Sequence, residues 1–130
     1  MQMLEYLYRN FDASIVEDFL MLLDVMEDNL DLTIERLYVD YDEAINDLFR
    51  MFHNLKSATA YLKIDRMKNF SHFVEDILEE YRTNQNGKEE LIDWLFKVSK
   101  QFHEWYKNIN DDEELAPLSP EIFKYPKGKR

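Results

Sequence analysis

The stretch that decides the fold is residues 45–62, which read INDLFRMFHNLKSATAYL. Its core-facing positions recur at spacings of three and four, as on the buried face of a helix: Ile45, Leu48, Phe52, Leu55, Thr59 and Leu62. His53 lies one residue from that stripe, at its border with solvent, and Lys56, Ser57 and Ala60 follow on the same side. The pattern predicts an exposed imidazole beside a cation and small side chains, a surface that another protein can approach closely.

Start and stop signals divide the rest of the chain into further helices. Ser14-Ile15-Val16-Glu17 has the pattern of a capping box, and Asp42 and Asp65 are expected to be N-caps. Residues 84–87, Asn-Gln-Asn-Gly, indicate a turn. The spacing between these signals predicts helices at residues 2–10, 14–37, 42–62, 65–83 and 88–109. Because short connections make long consecutive helices antiparallel neighbours, the predicted fold is all-α, an antiparallel up-down four-helix bundle with a short N-terminal helix.

Residues 111–130 differ in composition from the helical part. They begin with an acidic run, contain all three prolines of the chain, and end with the basic sequence Lys127-Gly128-Lys129-Arg130. Residues 1–110 are therefore predicted to form the bundle, and residues 111–130 a C-terminal tail or linker. Three apolar residues offer this tail a way to dock on the bundle: Leu118, Ile122 and Phe123.

Composition excludes several functional classes. A chain of 130 residues with 45% hydrophobic residues fits one folded domain. Its net charge of -11 argues against nucleic acid and an anionic membrane surface, since both attract lysine and arginine. There are no cysteines, so no disulfide or thiolate zinc site is expected. With no signal-peptide pattern and no apolar run long enough to span a bilayer, the chain is expected to be cytoplasmic.

Equal spacing about a turn brings polar residues of two helices together. In a hairpin closed at Ile64, residues equally far before and after the turn lie level. His53 and Glu75 are each 11 residues from Ile64, and Lys56 and His72 are each 8 residues from it. The sequence therefore predicts His53 beside Glu75 and Lys56 beside His72, with two imidazoles, an ammonium and a carboxylate in one cluster.

The chemistry of such a cluster is specific. A carboxylate that accepts the N–H of one imidazole nitrogen fixes the tautomer and makes the other nitrogen more basic. Glu75 is expected to do this for His53 Nδ1, which leaves Nε2 as the nucleophile. Lys56 would offset charge on an incoming phosphoryl group, and His72 would hydrogen-bond within the network. The chain has no glycine-rich phosphate-binding loop, so the phosphoryl group would have to come from another domain or protein.

Metal-based interpretations fit the sequence less well. A di-metal bundle uses Glu-x-x-His motifs, and none of the histidines has a glutamate three residues before it. A single zinc ion held by His53, His72 and Glu75 is disfavoured by the adjacent Lys56. No metal site is predicted, and His103 is interpreted as structural.

Residues 53–64, HNLKSATAYLKI, resemble the signature His-x-(Leu/Ile)-Lys-Gly-x-x-(Gly/Ala)-x-x-Gly-(Phe/Leu) of histidine phosphotransfer (HPt) domains. The resemblance is closest to the N-terminal phosphotransfer domain of the chemotaxis kinase CheA. That family places a second histidine and a glutamate on the following helix, at the offsets of His72 and Glu75. The similarity covers about residues 10–110.

The resemblance implies a helical bundle that is phosphorylated on His53 Nε2 and passes the phosphoryl group to an aspartate of a receiver domain. It implies two partners, a response-regulator receiver domain and a histidine kinase catalytic domain. Mg²⁺ is expected on the receiver, and no cofactor is expected in this chain. A self-contained bundle predicts a monomer, and the sequence leaves open whether it is a stand-alone carrier or part of a larger kinase.

Two departures from the signature support a second hypothesis. Ser57 and Lys63 stand where the family usually has glycine. The Ser57 side chain narrows the approach of a partner, and a left-handed turn at Lys63 would be costly. The alternative is therefore a degenerate HPt-like module that binds a receiver or kinase domain without carrying phosphate.

The surface around His53 is the predicted docking site for a partner. On the same helix it is expected to include small side chains beyond His53 and larger ones before it: Ser57, Ala58, Ala60, Asn46, Phe49 and Arg50. On the facing helix, Asn69, Phe73 and Asp76 are predicted to form the rim. A transient interface of this kind is expected to bury about 1,200 Å² or less in total.

Overall fold

The computed structural model describes residues 2–126, and that part of the chain is all-α. It contains α1 (Met3–Asn10), α2 (Ala13–Glu35), α3 (Tyr41–Tyr61), α4 (Asp65–Tyr81) and α5 (Lys88–Asn110), with short 3-10 helices at Arg36–Tyr38 and Pro120–Phe123. The predicted helical bundle, four long helices after a short leading one, is confirmed. No helix among these residues is long and apolar enough to cross a membrane. The basic end predicted at residues 127–130 lies outside the described residues.

The predicted capping box at the start of α2 is wrong. The helix begins at Ala13, one residue before Ser14, and Asp12 is the N-cap. The Asp12 carbonyl accepts hydrogen bonds from the backbone N–H groups of Ile15 and Val16, at 3.0 and 3.1 Å. Ser14 therefore lies inside the first turn, where its side chain cannot act as the cap.

The two aspartates predicted to cap α3 and α4 also lie inside their helices. Asp40 is the N-cap of α3 and Ile64 that of α4, and neither makes a side-chain capping hydrogen bond. Asp42 and Asp65 occupy the first turns instead. There a carboxylate interacts favourably with the positive end of the helix dipole. Aspartate is therefore also favoured just after the N-cap, and the two predicted caps lie one or two residues beyond the observed ones.

The α3–α4 hairpin turns where the sequence predicts, at Lys63 and Ile64. The Ile64 N–H donates to the Thr59 carbonyl at 2.9 Å, and the Lys63 N–H donates to the Ala60 carbonyl at 3.2 Å. These two bonds are the Schellman arrangement that ends a helix, and they place Lys63 at a φ of 56°. A lysine therefore adopts the left-handed conformation that glycine would adopt at lower cost.

The core holds the helices through large aromatic side chains. Phe52 of α3 meets Phe70 of α4 edge-on with ring centroids 6.1 Å apart, and Phe70 meets Trp105 of α5 at 4.9 Å. All three are almost fully buried. Edge-to-face contacts of this kind add to the stabilisation from apolar burial, so α3 and α4 are held at a fixed spacing beneath the surface that carries His53.

The segment after α5 packs back on α4 and α5. The indole N–H groups of Trp94 and Trp105 donate to the carbonyls of Ile122 and Ala116, at 2.9 and 2.8 Å. Ile122 is fully buried, while Phe123 is 62% exposed. Leu118 is partly buried against the core. Backbone carbonyls of this segment thus satisfy two buried donors that the helices leave without a partner.

Candidate functional site

His53 lies on the outer surface of α3, and its side chain is 51% exposed. Its Nδ1 is 3.4 Å from Oε1 of Glu75 on α4. Within residues 2–126, no hydrogen bond occupies Nε2. One ring nitrogen therefore faces a carboxylate across the hairpin, and the other is free to meet a molecule from outside.

Glu75 is held by two groups of α3 at once. Its side chain is only 12% exposed, and Lys56 Nζ lies 3.0 Å from Oε1 and 2.8 Å from Oε2. Burial raises the pKa of Glu75, but the hydrogen bonds from Lys56 and His53 and their charges outweigh it, so the pKa lies below its ordinary value. The carboxylate is therefore ionised at neutral pH and can accept the His53 N–H.

A ring and a guanidinium lie on the other side of His53. The Phe49 ring is nearly parallel to the imidazole, with centroids 6.2 Å apart and an angle of 11° between planes. The Arg82 guanidinium lies 4.7 Å from the centre of the Phe49 ring, and its Nε donates to Asn46 Oδ1 at 3.0 Å. Arg82 was not predicted as part of the site. Counting equal distances from Ile64 predicts this contact, because Asn46 and Arg82 are both 18 residues from it.

His72 does not join this cluster. Its Nε2 lies 3.5 Å from Oδ2 of Asp76, one turn along α4, and its ring is 60% exposed. The expected contact between Lys56 and His72 is not observed, because the Lys56 ammonium lies on the buried carboxylate of Glu75 instead. His53, His72 and Glu75, the three residues considered as zinc ligands, therefore do not form one group.

His103 lies away from His53, between α5 and α2. Its Nδ1 is 2.5 Å from Glu27 Oε2, and its Nε2 is 3.2 Å from Asp31 Oδ2. Burial lowers the pKa of His103, but the hydrogen bonds and charges of these two carboxylates raise it above its ordinary value. Both ring nitrogens are thus engaged in holding two helices together, as the structural interpretation requires.

Comparison with known proteins agrees with this geometry. The Hpt domain family matches residues 13–112, which is most of the chain and contains the His53 cluster. The chain belongs to the Hpt domain family. It is also 31% identical over 75 residues to the Chemotaxis protein CheA of Borreliella burgdorferi. That match covers 57% of this chain and 8% of the relative, so the chain spans a small part of the relative's length. No solved structure matches significantly.

The two departures from the Hpt signature have different structural outcomes. Lys63 forms the left-handed turn despite its side chain, so the hairpin is intact. Ser57 is exposed one turn after His53, where its Cβ and hydroxyl project from the surface. Only Ser57 therefore alters the face that a partner of this Hpt domain would approach.

Most residues predicted to surround His53 on α3 lie on its face of the helix. Ala60 and Arg50 are exposed like Ser57, and Asn46 and Phe49 are half-buried at the edge near α4. Ala58 is the exception, because five residues rotate a helix by about 140°. It is half-buried and lines a hollow against α2, so it does not contribute to the His53 face.

The predicted rim on α4 is divided between two surfaces. Asn69 and Asp76 are exposed on α4. Phe73 is half-buried and turned towards α5 and the tail, with its ring 6.0 Å from that of Trp94 and 5.2 Å from that of Tyr125. Phe73 therefore anchors the tail, while a position of Asn69 and Asp76 at the rim of the His53 face stays a prediction.

Proposed function

We propose that this Hpt domain accepts a phosphoryl group on Nε2 of His53 and passes it to an aspartate of a receiver domain. The observation that carries the proposal is the exposed imidazole whose Nδ1 faces the buried carboxylate of Glu75. Phosphoryl transfer needs a positioned nucleophile and fixed positive charge more than covalent help from the protein, and the cluster around His53 has both.

The contact with Glu75 selects the tautomer of a neutral His53 ring. An ionised carboxylate can only accept, so Nδ1 carries the proton and Nε2 keeps its lone pair. That pair forms the phosphorus–nitrogen bond as the donor's phosphorus–oxygen bond breaks. The imidazole then carries positive charge, which Glu75 stabilises from 3.4 Å. In the onward transfer, a receiver carboxylate attacks phosphorus, the phosphorus–nitrogen bond breaks, and its electron pair returns to Nε2.

Lys56 has two effects on the same reaction. Its ammonium, bound to both oxygens of Glu75, keeps the carboxylate in place and ionised. It also places a positive charge one turn from His53, where it favours an incoming phosphoryl group. Asp76 and His72 lie nearby on α4 as polar surface, and neither is needed for the step at Nε2.

The donor and the acceptor belong to other domains in this proposal. The chain has no phosphate-binding glycine loop, so a histidine kinase catalytic domain with its bound nucleotide would supply the phosphoryl group. The receiver would supply the aspartate together with its Mg²⁺. The exposed side chains of Ser57 and Ala60 are small and leave room beside His53. This suits a partner that must bring an aspartate within bonding distance of Nε2.

A transfer experiment tests the proposal. The protein is phosphorylated with phosphoramidate, a chemical donor to histidine, and then mixed with a Mg²⁺-loaded receiver domain of a chemotaxis system. We expect acid-labile, base-stable phosphate on the protein that disappears when the receiver is added. His53→Gln should abolish labelling, whereas the matched variant His103→Gln should retain it. Labelling that survives in His53→Gln would refute the proposal.

A degenerate module that binds without carrying phosphate is the second candidate. The exposed Ser57 beside His53 favours it, because this position usually lacks a side chain in Hpt domains. The same experiment separates the two functions. A receiver that binds the His53 face of a protein that takes no phosphate would establish the second function and exclude the first.

A further inference from the structure

The outer face of α2 has an unusual charge distribution. The helix contains seven carboxylates and no lysine or arginine: Glu17, Asp18, Asp24, Glu27, Asp28, Asp31 and Glu35. On the side towards α5, Glu27 and Asp31 bind His103, and Asp24 accepts from the Tyr106 hydroxyl. The carboxylates on the outer side, including Asp18 and Asp28, are exposed and make no ion pair with any described residue.

Large apolar side chains lie between these exposed carboxylates. Met21 is 65% exposed, Val25 is 53% exposed and Leu32 is 60% exposed. Residues four and seven apart share one face of a helix, so these three form a single stripe along α2. Apolar residues of this size that remain in water next to one another mark an interaction surface more often than scattered single ones do.

The stripe borders a furrow between α2 and α3. Two hollows, of about 410 and 230 Å³, follow this seam and meet at Leu22. Met51 and Ala58 line them from the α3 side. Both point well over 90° away from His53 around α3, given about 100° of rotation per residue. The furrow is therefore a different surface from the His53 face, apart from Arg50, which borders both at the far end of the furrow.

We propose that the α2 face binds an amphipathic helix that carries lysine or arginine beside its apolar side chains. The apolar residues of that helix would cover the stripe of Met21, Val25 and Leu32 and fill the furrow at Leu22. Its cations would meet Asp18 and Asp28. A helix laid in an apolar groove with charges at the rim is a recurrent mode of recognition, and here the rim is entirely negative on the α2 side.

Charge also argues against other occupants of this surface. A second copy of the chain would bring another -11 charge and a second row of carboxylates against the first. Like charges placed opposite each other at an interface suppress association. The two arginines at the far end of the furrow, Arg36 and Arg50, pair with Asp47, and Arg36 also pairs with Glu43, so these four charges balance and leave the α2 carboxylates uncompensated.

Binding of designed peptides tests this inference on the unphosphorylated protein. The probe is a helical peptide of about 18 residues in which leucines form one face and lysines flank it, long enough to follow the stripe at 1.5 Å per residue. A peptide of the same composition in scrambled order controls for charge, and one with glutamate in place of lysine controls for apolar contact. Titrations at about 0.15 M salt keep non-specific attraction low, and backbone amide shifts locate the site.

The protein variants are matched for exposure and chemistry. Met21→Gln/Val25→Gln/Leu32→Gln removes the stripe, and Tyr8→Gln/Phe96→Gln makes similar changes on α1 and α5. Asp18→Asn/Asp28→Asn removes two carboxylates, and Glu89→Gln/Asp93→Asn does so on α5. All nine positions tolerate a polar side chain because each is exposed, and thermal unfolding verifies that every variant is folded.

We expect the lysine peptide to shift amides of α2 and the adjoining face of α3. The stripe variant should raise its Kd at least tenfold and the carboxylate variant severalfold, while the two control variants, Tyr8→Gln/Phe96→Gln and Glu89→Gln/Asp93→Asn, change it less than twofold. Equal binding of the scrambled peptide, an unchanged Kd in the stripe variant, or shifts centred elsewhere would overturn the proposal. Dimers of the protein alone that the stripe variant abolishes would assign this face to a second copy instead. Phosphorylation of His53 should be the same in all variants, so the result of the peptide experiment neither supports nor contradicts the proposed function.

Discussion

A single buried carboxylate connects the two helices of the His53 hairpin. Glu75 accepts from Lys56 and faces His53 Nδ1, so one side chain both orients the imidazole and is held by the neighbouring cation. The carboxylate that fixes a histidine's tautomer is part of the reacting system even though it forms no bond to phosphorus. The residue scale is therefore where the proposed reaction is most sensitive to small changes.

Glu75→Gln tests this role of the carboxylate. The amide has nearly the same shape but no charge, so it accepts more weakly from His53 and no longer pairs with the Lys56 ammonium. We expect phosphorylation by phosphoramidate to slow by about 10- to 100-fold, as when other carboxylates that orient histidines are removed. Single-turnover labelling measures the rate. Glu89→Gln, on the exposed face of α5, is the matched control, and an unchanged rate in Glu75→Gln would remove Glu75 from the mechanism.

Lys63 stores strain in the turn that sets the register of α3 and α4. At a φ of 56° a side chain with a Cβ costs roughly 1 kcal/mol more than glycine does. Lys63→Gly should therefore raise the free energy of unfolding by up to about 1 kcal/mol. Urea titration measures the change. Lys63→Ala keeps the Cβ and should give no comparable gain; equal stabilisation by alanine would show that the turn is not strained.

At the scale of helices, His103 joins α5 to α2 in a pH-dependent way. Its pKa is raised in the folded protein, so its contribution is fully present below the unfolded value of about 6.5 and is lost as the pH rises through the folded value. His103→Gln should lower the free energy of unfolding by about 1 kcal/mol near pH 6, and the loss should shrink as the pH rises.

Urea titrations of the His103 variant across this pH range check the expectation. His72→Gln serves as the control, because His72 is 60% exposed and pairs with an exposed carboxylate only. A difference between wild type and His103→Gln that grows with pH would have the wrong sign, and would mean that the ring is neutral in the folded protein.

The sequence predicts some contacts between helices and not others, for identifiable reasons. Counting from Ile64 places His53 level with Glu75, and the structure brings Nδ1 of the one within 3.4 Å of Oε1 of the other. The same count fails for Lys56, since its long flexible stem lets the ammonium lie on Glu75 rather than level with His72. The prediction that Ala58 lies on the His53 face neglects the rotation of about 140° between residues 53 and 58, which follows from the sequence spacing alone.

The helix caps illustrate a different limit. At the starts of α2 and α3, two acceptable residues stand within two positions of each other, such as Asp40 and Asp42. The choice between them depends on where the preceding chain enters, and entry is decided by packing of the whole bundle. The family signature likewise indicates the site but not which side chains flank it, as Arg82 shows.

For the whole molecule, the segment after α5 is the least predictable part and a substantial source of packing. Periodicity does not say where a proline-containing stretch will lie, and the indole N–H groups of Trp94 and Trp105 decide it by donating to Ile122 and Ala116. Buried donors must find acceptors, so once the helices enclose both indoles, a carbonyl from the tail is the available partner.

Ile122→Ala tests how much the tail stabilises the bundle. Ile122 is fully buried, so its truncation should lower the free energy of unfolding by about 2–4 kcal/mol through lost burial and a cavity. Urea unfolding followed by tryptophan fluorescence measures it. The neighbouring Phe123→Ala, at a residue 62% exposed, should cost less despite the larger deletion. Equal small losses would mean that the tail does not pack on the bundle in solution.

The central claim is that phosphate resides on Nε2 of His53, and nuclear magnetic resonance of the imidazole tests it directly. The protein is labelled with ¹⁵N in its histidines and phosphorylated, and phosphorus–nitrogen couplings identify the modified atom. The account predicts one phosphohistidine, coupled through Nε2, which is absent in His53→Gln and present in His72→Gln and His103→Gln. Coupling through Nδ1, or a phosphohistidine that persists in folded His53→Gln, would contradict it.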